Sequence, residues 1–197
     1  SENGFKSFYQ GWSDYLPGYL YILWLLGKIR GVVPDVILFK LPAIMADLAT
    51  GFLIYKIVAK FKNNKWGLIA SSLYIFNPAI LANSTLWGQV DSITSLLSVL
   101  SIYLVPVNFF LSSFFLAAGT LIKPQVAFIA VIVFLVMIKN KWKINKILSY
   151  VLISLTTFVL GFVPFANGKN IFSFIIHRLV VSSGQYPYTS INAYNFW

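Results

Sequence analysis

Residues 36–59 read VILFKLPAIMADLATGFLIYKIVA, and the reading of this stretch decides the fold. Apolar side chains fill it from end to end, interrupted by Lys40, Asp47 and Lys56. At about 1.5 Å per residue, a helix of this length exceeds a hydrocarbon core roughly 30 Å thick. The run lacks the apolar-polar alternation of an outer-membrane barrel strand. It therefore predicts a membrane-spanning helix.

Working outward, the same character returns in residues 67–83, 92–105, 109–122, 124–138 and 147–166. The first of these is broken at Asn77-Pro78, and the third and fourth are separated at Lys123-Pro124. The expectation is an all-α fold, a polytopic bundle of about six transmembrane helices over residues 36–166. Residues 1–35 would form part of a first external loop and 167–197 a later one, all within a single transmembrane domain. A run as short as 92–105 rises only about 21 Å, so thinned membrane or buried helix ends must make up the difference.

Composition narrows the function. Hydrophobic residues make up 58% of the chain and the mean hydropathy is +0.78, more than a soluble core needs. With no cysteine, neither a disulfide nor a thiolate metal site can form. His177 is the only histidine and there are five acidic residues, so no metal site and no resident cofactor is expected. The net charge of +10 comes largely from lysines in short loops. That distribution fits membrane orientation and not nucleic acid.

Those lysines set the topology. Lys60, Lys62 and Lys65 follow Lys56 in one loop, and Lys139, Lys141, Lys143 and Lys146 occupy another. The positive-inside rule makes both cytoplasmic. Two loops on one side require an even number of crossings between them, and four fit if the chain turns at Lys123-Pro124. Residues 15–27, YLPGYLYILWLLG, have the length of an interfacial or re-entrant segment. They carry Tyr15, Tyr19, Tyr21 and Trp24, residue types that settle at headgroup level; a short true span is the alternative. With this topology the polar motifs Asp14-Tyr15, Trp87-Gly88-Gln89-Val90-Asp91, Lys123-Pro124-Gln125 and 185–197 all fall on the outer face. They are expected to meet in one external cavity, since charge at membrane depth normally faces a wet interior.

Four stretches, in this order, carry a resemblance: ENGFKSFYQGWSDYLPGYLYILWLLG, NPAILANSTLWGQVDS, IKPQ and YPYTSINAYNFW. Together they resemble bacterial polyprenyl-phosphate-sugar-dependent glycosyltransferases of the GT-C class, in particular mannosyltransferases similar to the second enzyme of GPI-anchor synthesis. Relatives read Asp-Tyr-Pro-Pro-Gly-Tyr where this chain has Asp14-Tyr15-Leu16-Pro17-Gly18-Tyr19, so Leu16 departs from the pattern. The resemblance implies an integral, multi-pass enzyme of the bacterial plasma membrane, acting in cell-envelope assembly. It would move a mannose-like hexose from a polyprenyl phosphate to an acceptor glycan, lipid or protein on the outer face. A first-loop base would deprotonate the acceptor hydroxyl, which attacks the anomeric carbon with inversion. In relatives the principal aspartate lies upstream of the Asp-Tyr-Pro-Pro motif, so that base is expected before residue 1 and the chain is expected to be a fragment.

Each site residue also has a plainer reading. Asp14 is a secondary candidate for base or acceptor contact, or an N-cap ahead of Pro17. Gln89 and Asp91 suit sugar hydroxyls, with Trp87 offering an apolar face; Asp91 alternatively caps a helix starting at Ser92. Lys123, beside Gln125 in the IKPQ motif, is the candidate phosphate contact, or a lysine that snorkels to headgroups. Arg178 competes for the phosphate role, with His177 beside it. Tyr194 and Asn195 are substrate-binding candidates in the tail. Asp47 lies mid-span with Lys40 seven residues earlier on nearly the same face, and a structural polar contact inside the bundle is its expected role. The rival function is a transporter or flippase of a lipid-linked or small polar substrate. The chain has no internal repeat of the kind many transporters show, and its polar residues gather at one face, not at the midplane.

Overall fold

The computed structural model describes residues 4–10, 13 and 15–184. Every regular element among them is helical. The helices are α1 (Pro17–Lys28), α2 (Asp35–Phe61), α3 (Asn64–Ile75), α4 (Pro78–Leu81), α5 (Asp91–Leu104), α6 (Phe109–Ile122), α7 (Ile129–Lys139), α8 (Ile144–Phe162) and α9 (Ile171–Gly184). A π-helical turn, Ala82–Trp87, joins α4 to α5, and a 3₁₀ turn, Pro124–Phe128, joins α6 to α7.

Asparagines start several of these helices. The side chains of Asn63, Asn77, Asn108 and Asn170 accept hydrogen bonds from backbone N–H groups of the following turn, supplying partners that a helix start otherwise lacks. Asn77 with Pro78 ends one helix and begins the next, so residues 67–83 are not one helix. They divide into α3, α4 and the π turn. Within the segment expected to be a later external loop, residues 171–184 form α9. Two stretches are long and apolar enough to cross a membrane, Asp35–Phe61 and Ile144–Phe165. The other apolar helices are shorter.

Contacts between helices show that the chain runs back and forth between two ends. Near the start of α2, the Lys40 ammonium donates to the Leu86 carbonyl at 3.0 Å. α2 is 27 residues long, so its far end lies about 40 Å of helical rise away from its start. The ends of α1, α6 and α8 also meet: the Tyr21 hydroxyl donates to Gly161 O at 2.9 Å, and Leu121 packs in one cluster with Leu16, Leu20 and Phe162. At the opposite end, Trp142 meets Phe109 edge-on at 6.0 Å and Lys146 lies 3.8 Å above the Trp142 ring. The lysine-bearing turns after α2 and after α7 therefore lie away from the end that holds Leu86, Leu121 and Gly161.

Between the two ends the helices are joined by small and polar groups. Ser101, Ser112 and Ser113 are fully buried. The Ser112 hydroxyl donates to Ser101 O at 2.5 Å and is hydrogen-bonded to the Tyr150 hydroxyl at 2.9 Å, tying α5, α6 and α8 together. Ser154 of α8 donates to Ser113 O. Small residues permit close helix approach, and hydroxyls bond across it. The outward faces are apolar: Val131, Phe134, Leu135, Leu148, Leu152 and Leu155 are all exposed. Exposed apolar faces of this kind on α7 and α8 mark a surface that meets another apolar phase or partner.

Candidate functional site

The stretch NSTLWGQVDS forms a shaped turn. The Ser84 and Thr85 hydroxyls donate to carbonyls four residues back, Ile80 O and Leu81 O. Such back-bonding competes with the helical ladder, and here the ladder widens to a π turn. Gly88 then takes a left-handed conformation, φ 78°, and the Gln89 N–H closes the turn on Asn83 O at 3.0 Å. A side chain at Gly88 is doubly disfavoured: the φ strains an L residue, and a Cβ would sit 3.1 Å from Lys40 Cγ. α5 begins at Asp91, three residues after Gly88.

The N-cap of α5 is Val90, with no side-chain cap. Asp91 is the first helical residue, which corrects its reading as a cap ahead of Ser92. Its carboxylate is instead paired with the Lys123 ammonium, which extends from the C-cap of α6. Both side chains stay partly open, 35% exposed for Lys123 and 47% for Asp91. Lys123 is thus neither free nor merely reaching for headgroups, and a ligand can still approach the pair.

The first motif arrives at the same place. α1 starts at Pro17, and a Cβ on Gly18 would fall 2.6 Å from the Leu121 carbonyl carbon and 2.7 Å from Ile122 N. Only glycine lets α1 lie on the backbone of α6 immediately before Lys123. Tyr19 is buried in a cluster with Ala46, Val90, Ile93 and Ile122, so one tyrosine touches the neighbours of both Asp91 and Lys123. Three motifs, at residues 15–19, 87–91 and 123–125, thereby gather at one end.

The remaining candidates are less central. Gln89 is half-buried in the turn; Trp87 is 72% exposed, and Gln125 is exposed. Arg178 belongs to an aromatic group and not to the ion pair. Its guanidinium lies 4.1 Å over Tyr9 and 5.6 Å from Phe174, and Nη1 donates to Ser13 O at 3.4 Å. Tyr9 in turn donates to Tyr15 O at 2.9 Å, which fixes the approach to α1; burial pushes its hydroxyl above the usual tyrosine range. His177 is exposed. The N-cap of α1 is Leu16, which offers no side-chain acceptor. Asp14, Tyr194 and Asn195 lie outside the described residues.

Asp47 makes a structural polar contact inside the bundle, with Tyr74 and not with Lys40. Helical side chains lean toward the N-terminus of their helix, so Lys40 reaches away from Asp47 to the Leu86 carbonyl. Asp47 is 6% exposed; its Oδ1 accepts from the Tyr74 hydroxyl at 3.1 Å, across from α2 to α3. Lys40 is not among the site residues expected from the sequence. The one available signal was its isolation in an apolar turn near the helix start.

A separate apolar groove of about 330 Å³ runs between α6, α7 and α8, with Thr120 and Ala127 at the Lys123 end and Met137 and Ile147 toward the other. The Thr120 hydroxyl is turned inward to Leu116 O, so the wall offers little polarity. Among the described residues no group of His, Cys, Asp and Glu could hold a metal ion. No protein-family model, no curated protein and no solved structure matches the chain.

Proposed function

We propose that this chain belongs to a multi-pass membrane glycosyltransferase that moves a hexose from a polyprenyl phosphate to an acceptor hydroxyl at the outer face. The observation that carries the reading is the convergence of residues 15–19, Asp91 and Lys123 on one bundle end, away from the lysine-rich turns. Positive-inside orientation makes that end external. The exposed apolar faces and the groove that ends near Lys123 suit a substrate whose tail stays in lipid.

In the reaction, the acceptor oxygen bonds to the anomeric carbon as the bond from that carbon to the phosphate oxygen breaks. The bonding pair leaves with the polyprenyl phosphate, and the acceptor proton passes to a carboxylate base, with Asp14 the secondary candidate in this chain. Negative charge grows on the leaving phosphate, and Lys123 is the group poised to stabilise it. As Lys123 turns to the phosphate, Asp91 is released to accept hydrogen bonds from sugar hydroxyls, as Gln89 does beside it.

The test is a radiolabelled polyprenyl-phosphate hexose supplied to the protein in liposomes, with product analysis. The expected result is label on a new acceptor and release of polyprenyl phosphate. Movement of the intact lipid across the bilayer with no cleavage would establish a flippase instead.

A further inference from the structure

We propose that Lys40 is a second phosphate-binding residue: it supplies the uncompensated positive charge that holds the donor phosphodiester, and Lys123 is reserved for the leaving group. The proposal rests on the lipid-phosphate reading above and goes further, dividing the work between two cations.

The argument starts from cost. A lysine flanked by Phe39 and Leu41 in an apolar helix is expensive to keep, and such residues mark substrate paths or find internal partners. Among the described residues the ion pairs are Arg30–Asp35 and Lys123–Asp91, so Lys40 is not neutralised by either carboxylate. Its recorded partner is the Leu86 carbonyl, which is uncharged and uses one of three ammonium donors. The stem runs against Gly88, whose missing side chain leaves room for it. The ammonium is therefore fixed at the turn that leads into Asp91, with its charge intact and two donors to spare.

Charge matching then separates the roles. Among the described residues Asp91 and Lys123 cancel, and Lys40 adds a positive charge that no described carboxylate pairs with. A sugar phosphodiester carries a single negative charge, which the Lys40 ammonium matches. After the sugar leaves, the phosphate becomes a monoester, which bears about 1.5 to 2 negative charges near neutral pH. It then needs a second cation, and Lys123 is the one within the site that can exchange its carboxylate for a phosphate oxygen.

The experiment uses the protein in nanodiscs of zwitterionic lipid, with polyprenyl-phosphate hexose, polyprenol and inorganic phosphate as probes. Lys40→Gln keeps a donor for Leu86 O and removes the charge. It is expected to weaken donor binding at least tenfold, leave polyprenol binding and the thermal midpoint unchanged, and raise KM more than it lowers kcat. Lys40→Arg is expected to bind donor within about threefold of wild type. Lys123→Met should show the reverse split, with kcat falling more than KM rises. Donor affinity unchanged in folded Lys40→Gln overturns the proposal. So does equal loss of donor and polyprenol binding, which would mean that Lys40 only shapes the turn. Inorganic phosphate binding as tightly as the lipid donor also overturns it. If wild type binds donor with Lys40 dependence but transfers no sugar, the glycosyltransferase reading fails and the phosphate assignment stands. If wild type binds no donor, both fall.

Discussion

Asp91 and Asp47 are carboxylates in one apolar bundle, and they are held in opposite ways. Asp91 opens α5, stays about half exposed and pairs with a lysine from another motif. Asp47 lies inside α2, is closed off from solvent and takes its hydrogen bond from a neutral tyrosine hydroxyl. An exposed ion pair contributes little to stability but can be exchanged for a ligand. A buried carboxylate bonded across a helix pair cannot be reached, and its loss strands a partner. The difference teaches that polarity in this chain has two uses, and that position along the helix decides between them.

The largest expected effect is on the open side of this comparison. Lys123→Met should lower sugar transfer by about 10²-fold, roughly 2.7 kcal/mol, the usual loss for one stabiliser of developing charge. Its effect on stability should be small, since an exposed pair contributes about 0–1 kcal/mol. Steady-state kinetics beside a thermal melt separates the two. A melt shifted as far as the kinetics would make the pair structural.

Next comes Asp47→Ala, which leaves the Tyr74 hydroxyl without its acceptor. It should lower stability by about 1–3 kcal/mol, measured by unfolding in mixed micelles, and leave donor affinity unchanged in the folded fraction. Loss of donor affinity at full stability would break the comparison. Tyr74→Phe removes the same hydrogen bond from the other side at about 1 kcal/mol. Combined with Asp47→Ala in a double-mutant cycle, it should add little. The smallest effect belongs to the Arg30–Asp35 pair on the surface, at 2.6 Å: Arg30→Gln should change neither stability nor transfer measurably.

Much of the helical framework was legible in the sequence, because long apolar runs and the punctuation at Asn77-Pro78 and Lys123-Pro124 are local signals. The run at 36–59 became Asp35–Phe61, and the run at 109–122 became a helix with those bounds. What escaped was set by direction and by non-local contact. Lys40 and Asp47 lie on nearly the same helix face, but the lean of helical side chains sends Lys40 to Leu86, and Asp47 takes its contact from Tyr74. For Asp91 a sugar contact and a cap ahead of Ser92 were both open from the sequence; Val90 holds the cap position, and Lys123 takes the carboxylate. The π turn at Ala82–Trp87 depends on two hydroxyls bonding backward, which residue type alone does not announce. That the motifs meet was an expectation from the parity of the lysine loops, whereas the contacts that bring residues 15–19, Asp91 and Lys123 together are non-local. The glycine contact that seats α1 on Leu121 required the fold.

The central claim is that the bundle end bearing Asp91 and Lys123 faces outward and is where the lipid donor is held. The absence of cysteine permits a direct measurement. Single cysteines at Trp87, Asn64 and Asn140, all exposed positions, can be challenged with a membrane-impermeant thiol reagent on intact cells. The account predicts labelling at Trp87→Cys, slowed by polyprenyl-phosphate hexose, and none at Asn64→Cys or Asn140→Cys until the membrane is opened. Labelling at Asn64→Cys or Asn140→Cys but not at Trp87→Cys would contradict it.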